Sequence, residues 1–139
     1  MNELSVTVSL DDAFDCYEMS KRQVSETPLF CYDIEKSEFV KVKNSMSSTC
    51  FLFLNAYSLC SNLIDSYLQQ PGMERYRELF YEENKGAKNK IVAFLWFFEH
   101  IDGCMDFEKY EMAHVTKELK KWCKENKFLY TEPEVYKIN

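Results

Sequence analysis

Nucleophilic catalysis requires a cysteine, serine or similar group beside a base that takes its proton. The chain has two histidines for that role, His100 and His114, and six cysteines, Cys16, Cys31, Cys50, Cys60, Cys104 and Cys123. Two dyads can be drawn, His100 with Cys104 and His114 with Cys123. Both histidines fall on predicted helices, and nothing in the local sequence ties either one to its thiol. A helix C-terminus favours a cationic side chain, which accounts for His100 without catalysis, and His114 borders an apolar stripe. An enzyme reading would place a site between sheet and C-terminal helices, using Cys31, Tyr32 or His114. No residue is assigned a catalytic role.

Metal ligation needs several His, Cys or carboxylate groups at recurring spacing. His100 and Cys104, with Asp102 and Asp106 nearby, form the only close pair of ligand types, and a third ligand does not follow from spacing. Acid–base work needs two carboxylates in different environments facing one cavity. Asp11, Asp12 and Asp15 read instead as the acidic first turn of a helix, and Glu82 and Glu83 as a solvated face. Three glycines supply no phosphate-cradling loop, and the P-loop, dinucleotide and nucleophile-elbow patterns are absent. Lys85-Gly86-Ala87 before a helix reads as a helix start as readily as an anion site. No metal and no cofactor is expected.

The formal net charge is −6, which opposes a phosphate backbone. Residues 1–70 hold 5 Lys and Arg against 10 Asp and Glu. The basic residues gather late in the chain, and Lys117, Lys120, Lys121 and Lys124 share one side of the last predicted helix. Nucleic-acid binding through that face is a third reading, although Arg75 and Arg77, the types that best read bases, lie elsewhere. A solvated lysine face is the commoner explanation. The cysteines form no C-x-x-C pair, and the start Met1-Asn-Glu-Leu lacks the basic and apolar regions of a secretory signal. These features predict free thiols in a reducing cytoplasm. The longest apolar run, Ile91–Phe98, is far short of the roughly 20 residues that span a bilayer.

The elements that would position these groups follow from periodicity. Leu4, Val6 and Val8 alternate as a short strand. Ser9 reads as an N-cap, and Leu10, Ala13, Phe14 and Tyr17 give the next helix one apolar face, fading near Ser20. Pro28–Ile34 and Phe39–Val42 predict a hairpin about a polar turn. Cys50–Leu54 reads as a third strand, apolar on both sides and so expected at the sheet centre, or alternatively as the opening of a helix, since short apolar runs fit either. Leu59, Leu63, Ile64, Tyr67 and Leu68 mark a helix capped by Ser58 and stopped by Pro71-Gly72. Further helices are expected over Met73–Glu82, Ala87–His100 and Phe107–Asn126, with Phe128–Tyr130 as an edge strand. The fold expected is α+β: an N-terminal helix, a small antiparallel sheet with a hairpin, then about four helices packed on one face. One domain spans residues 1–130, followed by a polar tail over 131–139.

Three stretches carry a resemblance to a known family: the hairpin Tyr32-Asp-Ile-Glu-Lys-Ser-Glu-Phe-Val40, the segment Asn84-Lys-Gly-Ala-Lys-Asn-Lys-Ile91, and the helix end Trp122-Cys-Lys-Glu-Asn126. Over about residues 6–130 the chain resembles the bacterial uncharacterised protein family 0158. That resemblance implies a fold and implies no reaction.

Ile91–Phe98 is apolar all round. A helix of that kind must be buried on every side or covered by another chain. Trp96 and Phe97 lie about 100° apart on the wheel. Near Trp96 a hydrophobic patch is expected, serving self-association as a homodimer or a protein partner. The competing explanation makes this helix the centre of the core. The leading functional expectation is a non-catalytic cytoplasmic interaction or regulatory module that uses neither nucleic acid nor membrane.

Overall fold

The computed structural model describes residues 5–44, 47–100 and 106–132. Cys104, Asp102 and the tail beyond residue 132 lie outside them. The fold is α+β. Strand β1 (Thr7–Ser9) runs directly into helix α1 (Leu10–Ser20), and Ser9 caps it by accepting from Asp12 N at 3.3 Å. Strands β2 (Phe30–Asp33), β3 (Glu38–Lys41) and β4 (Cys50–Leu52) follow. Then come helices α2 (Ala56–Leu68), α3 (Glu74–Glu83), α4 (Lys90–His100) and α5 (Asp106–Glu125), and strand β5 (Leu129–Thr131).

The hairpin strand β2 is central, flanked by antiparallel β3 and β4, and all four of its residues are buried. This corrects the expectation that Cys50–Leu54 would be the middle strand. Its apolar residues are accounted for by rings stacked over one sheet face. Phe39, Tyr32 and Phe51 sit side by side across the three strands. Trp122 and Phe128 cover them: Tyr32–Phe39 is 4.9 Å between centroids, Phe51–Phe128 5.1 Å and Phe39–Trp122 6.0 Å. Trp122 Nε1 also donates to Leu52 O at 2.7 Å, tying α5 to the sheet edge.

Leu129–Thr131 does not extend that sheet as an edge strand. It pairs parallel with β1, Thr7 opposite Leu129 and Ser9 opposite Thr131, in a separate two-stranded ladder. The turn out of α5 makes this pairing feasible. Lys127 adopts φ 60°, and Phe128 N and Lys127 N donate back to Cys123 O at 2.8 Å and Lys124 O at 3.1 Å. That is a left-handed Schellman end, and it throws the chain back beside Val6.

Helix α2 starts at Ala56, capped by Asn55, whose side chain accepts from Ser58 N at 3.0 Å. Ser58 is therefore inside the helix and not its cap. Helix α2 touches α1, α3, α4 and α5, so it, and not the aromatic helix α4, is the hub of the core. Helix α4 begins at Lys90, three residues later than expected, where the Asn89 side chain accepts from Val92 N. Among the described residues no helix is long and apolar enough to cross a membrane.

Candidate functional site

The apolar stripe of α1 runs Leu10, Ala13, Tyr17, and one turn later the same face reaches Lys21. The stripe of α5 runs Phe107, Glu111, Val115, Leu119. One charge interrupts each stripe, and packing brings the two together. Lys21 Nζ lies 3.0 Å from Glu111 Oε2 and 3.2 Å from Oε1, with side-chain exposures of 4% and 8%. Tyr17 Oη donates to the same Oε2 at 2.7 Å, and Cys60 Sγ of α2 approaches it at 3.5 Å. Lys21 also reaches Glu18 Oε1 at 3.0 Å. A buried charge is tolerated only when paired and hydrogen-bonded, and here both conditions are met. Among the described residues no buried side-chain nitrogen or oxygen lacks a partner.

Burial alone would lower the affinity of Lys21 for its proton, but Glu111 and Glu18 outweigh it and hold the ammonium above its ordinary value. Burial, with Cys60 and Glu111 beside it, pushes the Tyr17 phenol up. The Cys60 thiol is likewise pushed up to about 12, chiefly by burial. The cluster is thus an ammonium, a phenol and a thiol all held protonated around one carboxylate. It supplies neither an activated nucleophile nor a poised base.

Beside this cluster a groove of about 450 Å³ opens between α1, α4 and α5. Its apolar lining is Phe14, Leu95, Phe107 and Met112. Its carboxylates are Asp11, Asp15 and Glu18 from α1, Glu99 from α4, and Glu108 and Glu111 from α5, against two basic groups, Lys21 and Arg22. Asp11 and Asp12 do occupy the first turn of α1, yet Asp11 and Asp15 also face this groove. Local sequence does not reveal this site. Its one legible signal was the pair of opposite charges, Lys21 and Glu111, each breaking an apolar stripe.

Among the described residues, those singled out from sequence do not converge, and the pairing of His100 with Cys104 lies outside them. His100 Nδ1 and His114 Nδ1 each lie 2.8 Å from a carbonyl of their own helix, Trp96 O and Tyr110 O. Among the described residues neither histidine is hydrogen-bonded to a thiol. Cys31 and Tyr32 are buried neighbours on β2 and point to opposite sheet faces. Cys31 is pushed up to about 11 by burial and by the Cys50 thiol beside it, and Cys123 to about 11 by burial. Among the described residues no three His, Cys, Asp or Glu groups are arranged to hold a metal.

Trp96 is 59% exposed and stacks on His100 with centroids 4.2 Å apart, while Phe97 is 1% exposed and packs on Phe80. Of the two aromatics expected at an interface, only Trp96 offers surface. Lys117, Lys121 and Lys124 are exposed, but Lys120 is engaged with Glu132 at 3.0 Å and lies over the Tyr130 ring. No protein-family model, curated protein or solved structure matches the chain.

Proposed function

We propose that the chain is a non-catalytic, cytoplasmic protein-interaction module whose recognition surface is the groove between α1, α4 and α5. The observation that carries this reading is the groove itself: the half-buried Phe14, Leu95 and Met112 and the buried Phe107, ringed by carboxylates, over a floor tied together by the Lys21–Glu111 pair. Pockets of this size and mixed character are the usual sites of recognition. The thiols with raised pKa and the histidines bonded to their own helices support binding over catalysis. Free buried cysteines suit a reducing compartment. Kinship with uncharacterised protein family 0158 belongs to the same proposal. It rests on the three stretches of sequence at Tyr32–Val40, Asn84–Ile91 and Trp122–Asn126.

A second reading, self-association or partner binding through the outer face of α4, is favoured by the exposure of Val92 and Trp96, one turn apart. Affinity capture from a lysate of the source cells separates the two. Wild type, Leu95→Arg/Met112→Arg and Trp96→Asp are used as baits, each checked for folding by circular dichroism. Groove recognition predicts a captured protein retained by Trp96→Asp and lost by the double variant. The opposite pattern transfers the function to the outer face of α4.

A further inference from the structure

We infer that the occupant of this groove is a basic amphipathic helix of a partner protein, an inference that rests on the binding reading above. The charge and the apolar lining of the groove select such an occupant. Lys21 is already neutralised by Glu111 at 3.0 Å, which leaves the exposed Arg22 as the one basic group of the lining outside an ion pair among the described residues, outnumbered by carboxylates in the same position. Among the described residues Asp15, Glu99 and Glu108 are in no ion pair. They sit on three different helices, so the negative potential surrounds the opening instead of lying along one solvated face. Carboxylates converging around a low-dielectric groove focus their field on a cation entering it.

The apolar lining excludes a purely ionic ligand. Phe14, Leu95 and Met112, each partly exposed, would remain wet against a bare cation, whereas apolar side chains from one face of a helix cover them.

The test uses a fluorescein-labelled model peptide of about 18 residues, long enough for roughly five turns, with Leu and Lys in an amphipathic helical pattern. Two controls keep its length: Leu with Glu in the same pattern, and Lys with Ser. Fluorescence anisotropy should show saturable binding of the Leu/Lys peptide alone, weakening as salt is added. Asp15→Lys/Glu108→Lys should weaken it at least about tenfold. Glu82→Lys/Glu83→Lys, an equal charge change on exposed positions of α3, should leave it nearly unchanged. Equal loss in both double variants would show general charge attraction and overturn the inference. Equal binding of the Lys/Ser peptide would do the same by showing that a cation suffices. Should the groove variants lose a captured lysate protein while the Leu/Lys peptide fails to bind, the module reading stands and the basic helix is wrong.

Discussion

Lys21 Nζ and Glu111 Oε2, 90 residues apart in the chain, meet 3.0 Å apart in an interior almost closed to water. The pair locks α1 to α5 and fixes two of the three walls of the groove. Removing Lys21 leaves Glu111 as a buried charge with no cation beside it, whereas removing Glu111 leaves Lys21 still paired with Glu18 at 3.0 Å. Lys21→Met is therefore expected to lower unfolding free energy by about 3–5 kcal/mol, and Glu111→Gln by less. The double variant should be less destabilised than the two losses added, because its interior carries no orphan ion. Urea denaturation checks this; single variants within about 1 kcal/mol of wild type would mean the pair is wet and weak.

Stability should fall on the alkaline side. Cys16 and Cys60 are raised from 9.0 to about 12, chiefly by burial. A group raised in the folded state favours folding fully below its unfolded value and loses that contribution as pH climbs through the folded one. The urea midpoint should therefore hold steady near neutrality and decline once pH passes 9.0. Lys21 is raised above 10.5, so its ion pair persists through the first part of that decline. Cys16→Ala/Cys60→Ala should flatten the slope, and a wild-type midpoint unchanged well above pH 9.0 would contradict this account.

Trp96→Asp should fold. Its ring is largely in water and its ring partner is His100 on the same helix, so the expected change is within about 0.5 kcal/mol. Phe97→Asp, by contrast, should not fold, since that ring is enclosed against Phe80 and Phe98. Sedimentation of the Trp96 variant then reads assembly without the confusion of unfolding. A wild-type dimer made monomeric by Trp96→Asp would support the outer face of α4 as an interface, and a monomeric wild type would count against self-association there.

Lys127→Gly should stabilise the protein by about 0.5–1 kcal/mol. The residue holds φ 60° at the end of α5, a conformation that strains any side chain with a Cβ and suits glycine. Part of the gain is offset by the greater freedom of glycine in the unfolded chain. Thermal unfolding measures the net effect. A lowered midpoint would mean that the Lys127 side chain contributes more than its backbone strain removes.

Local chemistry wrote most of the elements into the sequence. The Ser9 cap, the 3.6-residue stripes of α1 and α5, the aromatic and branched run of β2, the alternation in β3 and the Pro71-Gly72 stop act within a turn or two. They can therefore be read without knowing what packs where. Where local signals competed, reading failed. Asn55 and Ser58 both suit a cap, and the apolar run at Cys50 suited a central strand as well as an edge covered by rings.

What periodicity cannot say is which stripe faces which. The pairing of Lys21 with Glu111, the parallel docking of β5 on β1 and the meeting of α1, α4 and α5 around an acidic groove all join residues far apart in sequence. Their energies appear only when the chain is compact and water is gone from between them. The residue types determined that this would be an α+β protein with an aromatic core. The packing alone decided that two charges would be buried together and that a ring of carboxylates would be left facing outward.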